Sequence, residues 1–260
     1  NGYSWNGKDF VYNPYSILLL FEEQTIKNYW FQSGTPTFLL KVIRNHQSNV
    51  IGFENKPVQS KIFESYDIEN MNIESLLFQT GYLTVKEIIE PESPFRRYIL
   101  NYPNMEVKES FLNHLLMNFS YNQNNDEIMI FNLVDNLEKN NLEEFFEIIK
   151  DVFSHIPAVI FMSDKEAYYH TIIYLILTLI GVRIHAEVHT NKGRIDAVIE
   201  TGNKVYIFEF KMTASKEAIK QIEAKKYYEP YLSSGKEILQ VGVSFNQKER
   251  NIKDWKVIKI

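Results

Sequence analysis

The chain has 260 residues, 45% of them apolar and 23% charged, which places it in the globular range and excludes a disordered chain. It has no cysteine, which excludes disulfide staples, thiolate metal sites and cysteine nucleophiles together. The net charge of -5 excludes a uniformly basic nucleic-acid binder but conceals a split: residues 161–260 hold 16 Lys and Arg against 12 Asp and Glu, whereas residues 1–160 hold 12 against 21.

The length predicts two domains. Residues 1–10 are polar and lack the apolar run of a signal peptide, and the chain does not begin with Met. The expectation is a piece of a longer protein. Asn13-Pro14 starts a helix, with Asn as N-cap and Pro at the first helical position, and the apolar pattern carries it over residues 17–30. A second helix is expected over 37–44 and a turn-rich linker over 49–59. A short helix over 73–79 ends at Gly81. Strands over 82–89 and 95–102 flank the turn Pro91-Glu92-Ser93-Pro94. Helix, strand, turn and strand in this order predict a winged-helix-like unit over about 72–104. Helices over 107–119, 127–138 and 142–155 complete a mainly helical first domain, residues 1–156.

Residues 157–260 change character, and the expected order is αβββαβ. Asp164 caps a helix running to residue 179, and Gly181 ends it. Its apolar stretch, 171–182, falls well short of the ~20 residues needed to span a bilayer. The expectation is a soluble, cytoplasmic protein without a membrane segment. Strands follow over 183–189, 194–200 and 204–211, with turns at Asn191-Lys192-Gly193 and Gly202-Asn203. Ser215 caps a helix to about residue 232, Ser233-Ser234-Gly235 stops it, and 238–245 forms the last strand.

The Gly202-Asn203 turn fixes a register. A two-residue hairpin loop pairs Thr201 with Lys204, so Asp196 falls opposite Glu209. Directly opposed positions bring Cβ atoms to ~4.5–5.5 Å, and Lys211 shares the Glu209 face. The other face carries Ile195, Ala197, Ile199, Tyr206, Phe208 and Phe210, a clean core side. Two adjacent carboxylates repel unless a proton or cation separates them. Oxygen ligands suit a small hard cation, Mg²⁺ or Mn²⁺, and a neighbouring lysine can orient a water or stabilise developing negative charge. This is equipment for phosphodiester hydrolysis. The competing expectation is a surface hairpin with a solvated ion pair, but both carboxylates sit in otherwise apolar strands, where a charge needs a reason. Arg194 shares the Asp196 face and suits a phosphate. Lys220 and Lys225, with Tyr228, belong to a helix whose lysines and tyrosines interleave, a pattern suited to a nucleic-acid backbone and exposed bases.

Gly193-Arg194-Ile195-Asp196 followed by Glu209-Phe210-Lys211 resembles the core motif of the PD-(D/E)XK nuclease superfamily, over about residues 157–260. The resemblance implies a restriction-endonuclease-like αβββαβ core and a Mg²⁺- or Mn²⁺-dependent hydrolase acting on DNA, with RNA left open as a substrate. It implies Asp196, Glu209 and the Phe210 carbonyl as metal ligands, with Glu166 completing the shell. Lys211 would position or activate the water. Gln221 resembles the helix glutamine of RecB-like branches and would orient the lysine, the water or the DNA backbone. Two positions depart from the pattern. Ile195 stands where the family name has proline, and Lys225 stands where RecB-like members have tyrosine, leaving Tyr228 to take that place from the same helix face. Upstream, Tyr12-Asn13-Pro14-Tyr15-Ser16, Tyr29-Trp30, Gly81-Tyr82-Leu83 and Pro103-Asn104-Met105-Glu106-Val107 resemble bacterial proteins in which an AAA-ATPase-like domain precedes such a nuclease. No phosphate-binding Gly-x-x-x-x-Gly-Lys-Ser/Thr occurs here, so that domain would be a partner missing from this chain. A catalytically silent DNA-binding or protein-interaction module is the alternative, and the oligomeric state, a homo-oligomer included, is left open.

Overall fold

The computed structural model describes residues 2–30, 53–63, 72–120, 126–156, 165–183, 189–191, 194–246 and 248–260. The chain divides into two compact units, Asn1–Phe111 and Leu112–Ile260. The sequence pattern put a boundary at 156/157. The helices over 126–154 fall in the second unit, where they meet its sheet.

In the first unit, α1 (Pro14–Glu23) starts where Asn13-Pro14 predicted, and the Ser16 amide donates to Asn13 Oδ1 at 3.1 Å. It ends seven residues before the expected stop, because Gln24 turns into the left-handed region at φ 51°. The helix expected over 37–44 lies outside the described residues. Part of the expected linker is a strand, β1 (Lys56–Gln59), followed by a 3₁₀ turn, Ser60–Phe63. Its short length and its Pro57 are edge-strand features that hide it from a periodicity reading. Then come α2 (Ile73–Gln79), β2 (Thr84–Ile89) and β3 (Arg97–Asn101), the expected order of helix, strand, turn and strand. The strands form an antiparallel sheet in the order β1-β3-β2. Gly81, at φ 82°, lets the chain reverse after α2 so that the Tyr82 and Leu83 amides donate to Leu77 O. The division between the units falls within α3 (Met105–Ser120).

In the second unit, α4 (Asp126–Glu138), α5 (Leu142–Ser154) and α6 (Lys165–Arg183) precede a five-stranded sheet. The strands are β4 (His189–Asn191), β5 (Arg194–Glu200), β6 (Lys204–Lys211), β7 (Glu237–Asn246) and β8 (Asn251–Lys259). Their spatial order is β4-β5-β6-β7-β8. Between β6 and β7 lies α7 (Ser215–Lys225), and these two strands run parallel, as a helical crossover requires. All other pairs are antiparallel.

Helices cover both faces of the sheet. Stripes of aromatic residues from α5 and α6 meet one face: Phe145 lies against Phe208 at 6.0 Å, Phe146 against Trp255 at 5.0 Å, and Tyr169 against Phe245 at 5.1 Å. On the other face Ile219 and Ile222 of α7 pack with Val205, Ile207 and Ile238. Strand β6 is therefore buried on both sides, unlike the one-sided strand that its alternation suggested. The centre of α6 is apolar on all sides because it is buried on all sides, with Ile172, Ile173, Leu175, Ile176 and Leu177 fully covered. Among the described residues no helix is long and apolar enough to cross a membrane.

Two polar residues of β6 close the end of α4. Lys204 Nζ donates to Glu138 O at 3.1 Å, and Tyr206 Oη donates to Leu137 O at 2.5 Å. The last carbonyls of a helix lack intrahelical partners, so the lysine supplies a donor to Glu138 O, and the tyrosine adds a second donor to Leu137 O, which also accepts from the Asn140 amide at 3.1 Å. Other expectations are corrected. The helix expected over 215–232 ends at Lys225, because Lys226 adopts φ 52° and a 3₁₀ turn, Glu229–Tyr231, follows. Its N-cap is Ala214, which has no capping side chain, and Ser215 Oγ bonds Asp254 instead. Strand β7 is not the last, since β8 pairs along its outer edge. Of the strand expected over 183–189, Arg183 belongs to α6 and His189 to β4, and residues 184–188 lie outside the described ones, as does Asp164.

Candidate active site

The turn at Gly202-Asn203 closes with the Thr201 amide donating to Lys204 O at 2.9 Å. From there the ladder runs Glu200 to Val205, Ile199 to Tyr206, Val198 to Ile207, Ala197 to Phe208 and Asp196 to Glu209. The expected pairing of the two acidic positions is thus the observed one, and opposed positions share a face. Glu166 lies on α6 and Arg194 and Asp196 on β5, but their side chains lie outside the described part.

Glu209 is 0% exposed, and neither carboxylate oxygen has a hydrogen-bond partner among the described residues. Lys211 Nζ approaches Oε1 at 2.9 Å, an ion-pair contact rather than a directed hydrogen bond. A directed bond from Lys211 goes to α7, where its Nζ donates to Gln221 Oε1 at 2.6 Å. Gln221 Nε2 is buried and lacks a partner among the described residues. Charge and hydrogen-bonding capacity therefore exceed what the described protein atoms satisfy. A buried carboxylate in that condition costs free energy on its own and suits a cation arriving with its own ligands.

Packing explains how α7 comes to lie over this point. Across the parallel pair, Glu209 is matched by Gly242. A Cβ on Gly242 would lie 2.5 Å from Ser215 O and 2.9 Å from Ile219 Cγ1, so only glycine admits the helix backbone this close. The Val-Gly-Val sequence carries that signal, because glycine inside a strand marks a close backbone approach. Phe210 sends its side chain to the opposite face, stacking 6.0 Å from Phe245.

Lys220 and Lys225 are exposed on α7, and Lys225 Nζ lies 5.4 Å above the Tyr227 ring. Tyr228 falls beyond the helix, so it does not stand on the Gln221 face; with Tyr227 and Tyr231 it packs on the Val205 and Ile207 cluster. Among the described residues no three His, Asp or Glu side chains gather as a metal cluster. Glu209 supplies one described carboxylate, and the Asp196 position supplies the second across the ladder.

Three comparisons bear on this geometry. Residues 164–255 match the family model of the PD-(D/E)XK nuclease superfamily, a span that includes β5, β6 and α7. The chain is 30% identical, over 259 residues, to an uncharacterized protein in the vnfD 5′ region of Azotobacter chroococcum mcd 1. That alignment covers 97% of this chain and 50% of the relative, so the chain spans about half the relative's length. No solved structure matches it.

Proposed function

We propose that residues 157–260 form a metal-dependent nuclease domain that hydrolyses DNA phosphodiester bonds. The carrying observation is Glu209: a carboxylate wholly buried, without hydrogen-bond partners among the described residues, and matched across the ladder by Asp196. A stabilising ion pair would saturate its hydrogen bonds; a metal ligand keeps its oxygens available. The nuclease-like superfamily match over the same strands supports the reading.

In this reading Asp196, Glu209 and the Phe210 carbonyl hold Mg²⁺ or Mn²⁺, with Glu166 as a further ligand. When bound, the ion polarises the phosphodiester and lowers the pKa of its water. Lys211 keeps its ammonium 2.9 Å from Glu209, where it orients the water and offsets negative charge on the phosphorane-like transition state. Gln221 fixes the lysine through their 2.6 Å bond, as a helix glutamine does in the RecB-like branch. Arg194, Lys220 and Lys225 meet backbone phosphates, and Tyr228 contributes only from the turn after the helix. The relative, twice as long as the matched chain, has room for the AAA-ATPase-like domain we propose as the missing partner in a cytoplasmic bacterial protein. The α2-β2-β3 segment would be a winged-helix-like protein-interaction unit.

The test is cleavage of plasmid and single-stranded DNA with Mg²⁺ or Mn²⁺, with EDTA as control. Asp196→Ala and Glu209→Ala are expected to abolish metal-dependent cleavage while the fold survives. Cleavage by either variant at the wild-type rate would refute the assignment, and a wild-type chain that binds DNA but neither ion would favour a catalytically silent module.

A further inference from the structure

We propose that Asp254 is a positioning residue for the candidate active site, holding the first turn of α7 on the sheet so that Gln221 meets Lys211. The proposal rests on the reading of Lys211 and Gln221 as working parts of that site. Asp254 lies on β8, the strand that the sequence pattern missed. It is the Cα partner of Ser244, and Ser244 is the Cα partner of Lys211, so the three occupy one row across the sheet. Ser244 and Ser215 are both buried, at 0% and 3% exposure. Ser215 Oγ donates to Asp254 Oδ2 at 2.9 Å, and Ser244 Oγ donates to Oδ1. One carboxylate thus bridges a helix and a central strand through two hydroxyls that have little access to water.

The helix needs this tie. Its N-cap, Ala214, makes no side-chain capping bond. Its first turn rests close on the backbone of Gly242, a non-directional contact. A negative charge beside the positive end of the helix adds attraction. Gln221 lies six residues beyond Ser215 on the same rigid element, so movement of the first turn is carried to the Lys211 bond.

The test compares Asp254→Asn and Asp254→Ala in the whole chain. Asparagine preserves the bridge, since its oxygen accepts from one serine and its amide donates to the other. It should retain kcat within about twofold, whereas alanine should lower kcat by about tenfold with KM unchanged, as small misplacements of a reacting geometry do. Alanine should also shift the Gln221 side-chain amide NMR resonance, and asparagine should not. In a Gln221→Ala background, Asp254→Ala should lower kcat no further. The proposal is overturned if Asp254→Ala lowers only Tm and leaves kcat and the Gln221 resonance in place, or if its effect adds fully to that of Gln221→Ala. If the wild-type chain cleaves nothing with either ion, the nuclease reading fails, and the resonance alone then decides whether Asp254 positions Gln221.

Discussion

Gly242→Ala tests how the fold builds the site. The new Cβ would stand 2.5 Å from Ser215 O and 3.1 Å from Ala218 Cβ. To bring the first contact to 3.4 Å, the near edge of ordinary contact, helix and strand must separate by about 0.9 Å. Neither neighbour is the tip of a flexible side chain, so the helix has to move as a body. A displacement of that size, transmitted to Gln221, stretches its 2.6 Å bond from Lys211 to the outer limit of a hydrogen bond. Overpacking of this kind costs about 1–3 kcal/mol. For a domain of this size that lowers Tm by roughly 2–4 °C per kcal/mol. The assay is a thermal melt paired with a single-turnover cleavage measurement. A lower Tm together with a slower rate is expected. An unchanged Tm and an unchanged rate would refute the argument that glycine is required for the helix to lie over Glu209.

Divalent ion should stabilise the wild-type chain, by about 2.7 kcal/mol at a hundredfold excess over Kd, and Glu209→Gln should lose that shift; equal shifts in a thermal titration would place the ion elsewhere. Tyr206→Phe should destabilise the second unit by about 0.5–1.5 kcal/mol, because the buried bond from its hydroxyl to Leu137 O is lost while the Asn140 amide still serves that carbonyl, yet leave the cleavage rate per folded molecule unchanged. Burial pushes the Tyr169 hydroxyl up to about 12, with Arg250 opposing. Its folded pKa lies above the ordinary tyrosine value near 10, so its contribution to stability is full below pH ~10 and falls as pH rises toward 12. Urea midpoints across that window should show a shallower decline in Tyr169→Phe than in wild type.

The hairpin was legible in the sequence because its determinants are local. Gly202-Asn203 sets the loop length, the loop sets the register, and the register places Asp196 against Glu209. Features that depend on tertiary neighbours were not legible. Strand β8, Asn251 to Lys259, reads as a charged segment because an edge strand carries lysines that discourage further pairing, and its aspartate, Asp254, serves Ser215 and Ser244. The end of α7 gave no warning, since the residue that turns left-handed is Lys226 and not a glycine. That early stop removed Tyr228 from the Gln221 face. Ser215 looked like a cap and is a tie to Asp254, a bond that only the pairing of β7 with β8 creates. Burial of β6 on both faces was likewise hidden, because α7 covers the side that the alternation assigned to charge.

The central claim is that the buried carboxylate at Glu209, with Asp196 across the ladder, holds a catalytic cation. The most direct measurement is anomalous diffraction from a crystal of this chain soaked in Mn²⁺. The account predicts one strong peak within coordination distance of both carboxylates, lost in Glu209→Gln. Mn²⁺ bound elsewhere, away from Glu209 and Asp196, would contradict it.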